Sequence, residues 1–433
     1  MQQAEKPNWI SKDNRVLETV FACDFLCRYH LKCINGRFYD YDGPIPDEEY
    51  LKKKIYDELS EYLESGAARK TSDIMSVLRM EAYSEPLPLQ TDRIHLSNGT
   101  YYLDGSFAGK KEFCNNRLPV AFAAEAPIPA HWLAFLEDLL VEEDILTLQE
   151  YMGYCLLPDT RAQKMLMLIG KGGEGKSRIG RVMREIFGDS MNTTSIQKIE
   201  NNRFARADLE GKLVMIDDDM DMGALPKTNY IKSIVTSEGK MDLERKGIQS
   251  YQRQLYVRFI CFGNGALTSL HDRSDGFFRR QIVLTTKDRP EDRVDDPFLA
   301  DKLVEEKEGI LLWMLEGLKR LISNQYHFTI SQRAKDNITN VMREANNVLD
   351  FLKAEDYIRF DTNGSAATQE LYAAYKDWCE DNAETPIAVK SFSAFLYQHA
   401  EKYQLVYSNT IQGAQGRRRR GYTGIYVLRR LGY

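Results

Sequence analysis

A glycine-rich loop between a strand and a helix is the feature that most constrains the fold of this 433-residue chain. The apolar run Met165–Ile169 predicts a short buried strand, and residues 178–187 have helical apolar spacing. Between them residues 170–177 read GKGGEGKS, which fits the pattern G-x4-G-K-[S/T] with the strand before it and the helix after it. The sequence therefore predicts a nucleotide-binding site in an α/β domain.

The loop sequence also predicts how the phosphates of the nucleotide are bound. Because glycine has no Cβ atom, it lets backbone N–H groups converge on phosphate oxygens, and the following helix adds the positive end of its dipole. The glycines of the loop are Gly170, Gly172, Gly173 and Gly175. Lys176 is expected to reach the β- and γ-phosphates, and the Ser177 hydroxyl is expected to bind Mg²⁺. The predicted ligands are ATP and Mg²⁺.

A second buried strand is predicted over residues 212–216 and runs into three consecutive aspartates. Carboxylates at the C-terminal end of a neighbouring parallel strand lie where a magnesium–nucleotide complex needs a metal ligand and a group that polarises water. We assign Asp217 to the magnesium ion and Asp218 to the water. Asp219 is the alternative candidate for the second role.

A third strand is predicted over residues 258–262 and ends at Gly263-Asn264. In this position Asn264 is expected to hydrogen-bond the attacking water or the γ-phosphate. Downstream, Arg279 and Arg280 precede a further predicted strand. An arginine at such an edge can enter a neighbouring subunit's site and neutralise transition-state charge, as an arginine finger does. The alternative for these two residues is a salt-bridged surface pair.

The C-terminal part of the chain differs in charge from the rest. Residues 390–433 contain eight lysines and arginines and one acidic residue, whereas the whole chain has a net charge of −6. This asymmetry favours a nucleic-acid partner. Strand-like residues 403–407 and 424–428 flank the four arginines of the segment 417–420, so these arginines are predicted to lie in the loop of a β-hairpin.

The distribution of apolar residues, cysteines and histidines argues against a membrane protein, a secreted protein and a metal-cluster protein. The longest apolar stretch, residues 118–141, is interrupted by charged residues, so no membrane-spanning helix is expected. The N-terminal residues lack the basic start and apolar run of a secretory signal. The seven cysteines are scattered without a CxxC pair, and the six histidines are too dispersed for a metal cluster. We therefore expect a reduced, cytoplasmic protein with no membrane partner.

The remaining elements are predicted from periodicity and turn residues. Hairpin turns are indicated at Asn35-Gly36 and Asn98-Gly99, and the proline-rich stretch Pro119–Pro129 indicates the end of a first domain. Alternating strand and helix signals over residues 164–284 predict a parallel sheet. Helices are expected at residues 14–31, 46–65, 131–142, 144–156, 298–324 and 330–353.

The order of these motifs resembles that of superfamily 3 helicases, and in particular the primase-helicase group of poxviruses, phages, phage satellites and mobile elements. The resemblance covers residues 131–284 and includes Gly276-Phe277-Phe278-Arg279-Arg280. It implies an AAA+ ATPase core in which Arg280 is the finger, with Arg279 beside it as the alternative. It also implies that Met241–Gln252 form a central-channel hairpin, with Lys246 at its tip gripping the DNA backbone. Many members have glutamate in the acidic motif where this chain has only aspartate.

The C-terminal segment is similar to the winged-helix module that often ends such proteins. The resemblance implies a helix at residues 371–379, a recognition helix at residues 389–396, and a basic wing on phosphate. The wing residues, expected to give salt-dependent affinity for DNA, are Arg417, Arg418, Arg419 and Arg420.

Together these expectations define an α/β protein with three domains. Residues 1–128 form an α+β domain for oligomerisation or contact with DNA or a partner. Residues 129–345 form a P-loop AAA+ ATPase with a parallel sheet, and residues 346–433 form a winged-helix DNA-binding domain. The expected function is ATP-dependent unwinding of DNA in the replication of a phage, plasmid or mobile genetic element.

The expected partners are single-stranded, forked or origin DNA and further copies of the chain, with six subunits suggested by the family and a primase as a candidate partner. Two alternatives stay open. One is a small-molecule kinase or GTPase, although no N-K-x-D guanine motif occurs. The other is an initiator that uses ATP only to assemble at an origin.

Overall fold

The computed structural model describes residues 6–220, 225, 227–237, 239–265, 275–290, 296–345, 347–412 and 418–428. The chain forms two compact units. The first unit comprises Met1–Asp221, Asn229–Gly265 and Leu284–Ser331, and the second comprises Met222–Thr228, Ala266–Val283 and Gln332–Tyr433. The division into three domains stays a prediction.

The first unit begins with helices packed on a small antiparallel sheet. Its elements are α1 (Glu18–Tyr29), β1 (Lys32–Ile34), β2 (Arg37–Asp40), β3 (Gly43–Pro44), α2 (Glu48–Ser60) and α3 (Ala67–Glu81). The predicted turn between β1 and β2 is confirmed, and Asn35 and Gly36 both have positive φ, as a tight hairpin turn requires. Phe21, Ile55 and Leu78 lie in the core between the helices. Helix α3 is not among the predicted elements.

A second small sheet and two helices follow. They are β4 (Arg93–Leu96), β5 (Gly99–Tyr102), β6 (Phe107–Ala108), β7 (Arg117–Leu118), α4 (Ala130–Leu139) and α5 (Glu142–Tyr154). The predicted hairpin at Asn98-Gly99 is confirmed by the antiparallel pairing of β4 with β5. The buried guanidinium of Arg117 donates to the carbonyls of Tyr41 and Leu96 and so joins the two small sheets.

A five-stranded sheet forms the centre of the fold. The elements from its first strand onward are β8 (Met165–Ile169), α6 (Lys176–Phe187), β9 (Met191–Thr193), α7 (Ile196–Asn201), α8 (Arg203–Ala207), β10 (Val214–Asp217), α9 (Asn229–Thr236), β11 (Met241–Arg245), β12 (Ile248–Arg253), β13 (Arg258–Gly263), α10 (Asp275–Phe278) and β14 (Gln281–Thr285). The strand order is β14-β8-β13-β10-β9, and β8, β13, β10 and β9 pair in parallel. The predicted α/β fold with a parallel sheet is confirmed.

Two helices follow the sheet in the chain and pack against α4, α5 and α6. These are α11 (Leu299–Glu305) and α12 (Lys307–Ser323). Helix α12 packs closely on α5 because glycines lie at the crossing: a Cβ atom on Gly153 would be 2.3 Å from the Met314 carbonyl oxygen, and one on Gly317 would be 2.4 Å from that of Gln149. No helix among the described residues is long and apolar enough to cross a bilayer.

The second unit ends in an antiparallel sheet with helices. Its elements are α13 (Gln332–Ala345), α14 (Val348–Phe351), β15 (Ile358–Ala367), α15 (Thr368–Asp381), α16 (Val389–His399), β16 (Val406–Gln412) and β17 (Arg418–Val427), with strand order β15-β17-β16. Tyr375 and Phe392 stack in its core with ring centroids 4.9 Å apart. The helices predicted at 371–379 and 389–396 are confirmed.

The C-terminal hairpin is confirmed, but its first strand begins at Val406 and not at Tyr403, and the predicted position of its arginines is wrong. Arg418, Arg419 and Arg420 lie in strand β17 and not in the loop. The strand extends this far because Gln412 and Ile411 of β16 pair with Arg418 and Arg419. Arg417 lies outside the described residues.

Candidate functional site

The ends of three parallel strands bring the predicted site residues to one edge of the central sheet. Gly263, the last residue of β13, is level with Ile169 of β8, and Asp217 of β10 is level with Cys261. The Gly170 amide donates to the Gly263 carbonyl at 3.0 Å, so the glycine-rich loop (residues 170–177) starts beside the end of β13. Asn264, which is exposed, follows there directly.

The glycine-rich loop turns through the left-handed region of backbone conformation. Gly172, Gly173 and Gly175 have φ values of 105°, 81° and 105°, which side-chain-bearing residues rarely adopt. Gly175 caps α6, so Lys176 begins the helix and Ser177 follows in its first turn. Lys176 is only 8% exposed. The loop therefore holds a buried cation at a helix N-terminus, which favours an anionic ligand.

The side chain of Glu174 folds back into this loop. One carboxylate oxygen, Oε1, accepts from the Gly172 amide at 2.8 Å, and the other, Oε2, lies 2.8 Å from Lys176 Nζ. Glu174 is 4% exposed. Burial alone would raise the pKa of its carboxyl, but the hydrogen bond from Lys176 and those from the loop amides outweigh burial and lower this pKa. Glu174 is thus a buried carboxylate.

The chain after β14 forms one wall of the glycine-rich loop. The Thr286 amide donates to the Ile169 carbonyl at 2.8 Å, and Arg289 Nη1 donates to the Gly173 carbonyl at 3.3 Å. A Cβ atom on Gly170 would be 2.5 Å from the Thr286 hydroxyl, so this wall leaves room only for glycine there. Sequence reasoning missed Arg289 and Glu174. The motif treats position 174 as variable, and no spacing rule connects Arg289 to the loop.

The aspartates after β10 differ in burial and in surroundings. Asp217 is 4% exposed, and its Oδ2 accepts from the Ile196 amide at 2.8 Å. Burial raises the pKa of the Asp217 carboxyl, although hydrogen bonds from the Ile196 and Asp219 amides oppose this. Asp218 is exposed. Its side chain lies beside α6, since a Cβ atom added to Gly180 would be 3.7 Å from Asp218 Oδ1. The assignment of metal and water roles to these residues stays a prediction.

The composition of this edge suits Mg²⁺ only together with a phosphate ligand. Among the described residues no group of three or more His, Cys, Asp or Glu side chains is placed to hold a metal. Protein-bound Mg²⁺ usually keeps waters and takes one or two carboxylates plus phosphate oxygens. Ser177 and Asp217 are the predicted oxygen ligands of the ion, and Asp218 and Asp219 follow Asp217 directly in the sequence.

The hairpin predicted at residues 241–252 is confirmed. Strands β11 and β12 pair antiparallel, and the exposed Lys246 lies with Gly247 in the turn that joins them. The base of the hairpin is bound by Glu210, whose carboxylate lies 3.2 Å from Arg245 Nη2 and 3.1 Å from Arg253 Nε. The Tyr251 hydroxyl also donates to Glu210, at 2.7 Å. Glu210 therefore bonds to both strands.

The remaining predicted site residues belong to the second unit. Arg280 is half-buried, and its guanidinium donates to the Gly276 carbonyl, whereas Arg279 is exposed. In β17, Arg420 is exposed and Arg419 is partly buried. The structure does not describe Arg417 or the side chain of Arg418.

Comparisons with known proteins agree with this fold. Residues 168–280 match the family described as "Family of unknown function (DUF5906)". The chain is similar to the A-form apo structure of the NrS-1 C-terminal region (305–718), with a TM-score of 0.51, 13% identity, and coverage of 94% of this chain and 99% of that one. A second apo structure of that region gives a TM-score of 0.50 and 12% identity, covering 95% and 100%. At this identity the similarity establishes the fold alone.

Proposed function

We propose that the chain is an ATP-driven DNA helicase acting in the replication of a phage, plasmid or mobile genetic element. The observation that carries the proposal is the convergence of the glycine-rich loop, the aspartates after β10 and Asn264 at one edge of a parallel sheet. In open α/β sheets ligands bind at the C-terminal ends of the strands, and this edge carries a buried lysine at a helix N-terminus.

The proposed chemistry is in-line attack of water on the γ-phosphate of ATP. Amides of the glycine-rich loop and the ammonium of Lys176 bind the phosphates, so that negative charge developing in the transition state meets fixed positive groups. Mg²⁺, held through Ser177 and Asp217, would neutralise charge on the β- and γ-phosphates. Asp218 or Asp219 polarises the attacking water, and Asn264 hydrogen-bonds that water or the γ-phosphate.

We further propose that the active form is a ring of identical subunits, with six as the expected number. Arg280 of one subunit, or Arg279 beside it, then completes the site of its neighbour. This arrangement makes hydrolysis depend on assembly, since an arginine supplied in trans can accelerate phosphoryl transfer by about 10³-fold or more. Lys246 at the turn of the hairpin is proposed to hold a phosphate of one DNA strand.

The second unit is proposed to bind duplex DNA as a winged helix. Helix α16 followed by the antiparallel strands β16 and β17 supports this proposal, and the arginines of β17 are proposed to contact phosphates as a wing does. The acidic remainder of the chain makes this basic segment the expected site of non-specific affinity.

Strand displacement tests the proposal. Purified full-length protein with ATP and Mg²⁺ is given a forked DNA carrying a fluorescent strand, and release of that strand is followed over time. We expect release that requires ATP and is lost in Lys176→Ala. If the protein binds origin-like duplex DNA with ATP but releases no strand, it is an initiator that assembles with ATP.

A further inference from the structure

The inference concerns Glu174 and rests on the proposed binding of ATP at the glycine-rich loop. We propose that Glu174 is a built-in competitor of the nucleotide: its carboxylate occupies the anion position of the loop and must leave before the phosphates bind. Glu174 then sets the affinity of the loop for its ligand without belonging to the group that holds the phosphates.

First, Glu174 is bound by the same hydrogen-bond donors that would bind a phosphate. A carboxylate and a phosphate both accept hydrogen bonds from ammonium and backbone N–H groups. The glycine-rich loop offers Lys176 Nζ and the Gly172 amide, and Glu174 accepts from both at 2.8 Å with its two different oxygens. A phosphate that takes these donors therefore displaces the carboxylate from both at once.

The second argument is the fit of the side chain to the loop. A Cβ atom on Gly170 would be 2.8 Å from both Cδ and Oε1 of Glu174, so the carboxyl group packs directly against the Gly170 backbone. The Thr286 hydroxyl also lies against the Gly170 backbone, next to the carboxyl group. The Glu174 carboxylate therefore lies inside the loop and not on the surface of the protein.

The third argument is burial. Glu174 and Lys176 are 4% and 8% exposed, so their ion pair is shielded from water and from salt. Removing one partner of such a pair leaves the other charge uncompensated, which is costly. A ligand without an anionic group cannot replace the carboxylate on Lys176, whereas the phosphates of a nucleotide can. The glutamate therefore selects against uncharged ligands, and it reduces the apparent affinity for phosphates in proportion to the fraction of time it spends outside the loop.

The test is the dissociation constant of Mg²⁺–ADP, measured by calorimetry on the full-length chain and four variants. Glu174→Gln is uncharged and has a single acceptor oxygen, so it can accept from Lys176 or from the Gly172 amide but not from both, and we expect it to bind ADP about 10-fold more tightly. Glu174→Asp keeps the charge but is one methylene shorter and cannot span both donors, so it too is expected to bind more tightly, by about 3-fold. Glu185→Gln removes the same charge at a partly exposed position of α6, where Glu185 lies near Arg181, and is expected to match the wild type.

The outcomes separate the competing accounts. Unchanged or weaker binding in Glu174→Gln overturns the inference. Tighter binding in Glu174→Gln with wild-type binding in Glu174→Asp also overturns it, because charge repulsion alone would then explain the gain. If Lys176→Ala binds ADP as well as the wild type, the proposed site is wrong whatever Glu174 does. Thermal melting of each variant confirms that the comparison is made on folded protein.

Discussion

The proposed helicase depends on two regions, the glycine-rich loop and the hairpin of β11 and β12, and at each of them a glutamate has several hydrogen-bonding or ionic partners. The two glutamates differ in how far water reaches them. In the glycine-rich loop, the Glu174 side chain is 5% exposed and accepts hydrogen bonds from a lysine and a backbone amide. At the base of the hairpin, the Glu210 side chain is 29% exposed, forms ion pairs with two arginines and accepts a hydrogen bond from a tyrosine. Both carboxylates have several donors, but only the first lies where water is excluded.

The two carboxylates are expected to have different effects on the protein because they differ in burial. Charges in a water-excluded site interact strongly, so a change in the glycine-rich loop is expected to appear mainly in ligand affinity. Exposed ion pairs contribute about 0–1 kcal/mol each, so the cluster around Glu210 orients the hairpin without adding much stability. Changes in the glycine-rich loop are then expected to alter ligand binding, and changes around Glu210 are expected to alter the orientation of the hairpin.

The largest expected effect comes from removing the buried lysine. Lys176→Ala should weaken Mg²⁺–ATP binding by about 100-fold or more, because the phosphates lose a charged donor where water is excluded. The matched control is Lys171→Ala in the same loop, whose side chain is 83% exposed and pairs with Asp288. Equal losses in the two variants, measured by fluorescent-nucleotide titration, would contradict the contrast between buried and exposed charges.

Removing the charge of Asp217 or of Asp218 is expected to change the melting temperature differently, because only Asp217 is buried. Because burial raises the Asp217 pKa, the folded protein binds this proton more tightly than the unfolded chain does, and ionised Asp217 costs folding free energy at neutral pH. Asp217→Asn keeps an acceptor for the Ile196 amide and removes this cost. We expect its melting temperature to rise while ATP turnover falls about 100-fold or more.

Asp218→Asn serves as the control for the same pair of measurements. It changes an exposed carboxylate, so turnover should fall while the melting temperature stays the same. A melting temperature that drops in Asp217→Asn would show that the buried carboxylate stabilises the fold and would refute the reasoning from its pKa.

A smaller effect is expected at the turn of the hairpin. Lys246→Ala should leave basal ATP turnover near the wild-type value and remove most of its stimulation by single-stranded DNA, because one phosphate contact is lost while the glycine-rich loop is unchanged. Lys240→Ala, which changes an exposed lysine just before β11, is the comparison. Stimulation that survives in Lys246→Ala but not in Lys240→Ala would place the DNA contact elsewhere.

The smallest effect is expected from Glu210→Gln. Since the pairs of Glu210 with Arg245 and Arg253 are partly exposed, chemical denaturation should show a loss of less than about 1 kcal/mol in the free energy of unfolding. DNA stimulation of turnover should nevertheless decrease, since both strands of the hairpin lose an anchor. A loss of several kcal/mol would mean that the two glutamate clusters do not differ in the way described here.

The local parts of this account could be predicted from the sequence. The strand Met165–Ile169 is found as predicted, and the helix after the loop begins only two residues earlier than expected. The turns at Asn35-Gly36 and Asn98-Gly99 were equally predictable, because apolar runs and turn residues determine such elements over a few neighbours.

Features that depend on distant chain segments could not be predicted. Arg289 contacts Gly173 only because the chain after β14 runs along the glycine-rich loop. Strand β15 pairs with β17 on both sides of Asn363 and Gly364, and its register shifts between Phe360 and Ser365, so these turn residues lie in an irregular part of a strand. Pairing with β16 takes Arg418 and Arg419 out of the predicted loop and into strand β17. At these arginines the pairing with another strand outweighs the local turn signal.

The central claim is that breakdown of ATP at the sheet edge is coupled to DNA. Its most direct test is the rate of phosphate release from Mg²⁺–ATP by the full-length protein, with and without single-stranded DNA. The account predicts turnover that rises severalfold with the DNA and is absent in Lys176→Ala. Turnover that does not respond to any length of single strand, or that persists in Lys176→Ala, would contradict it.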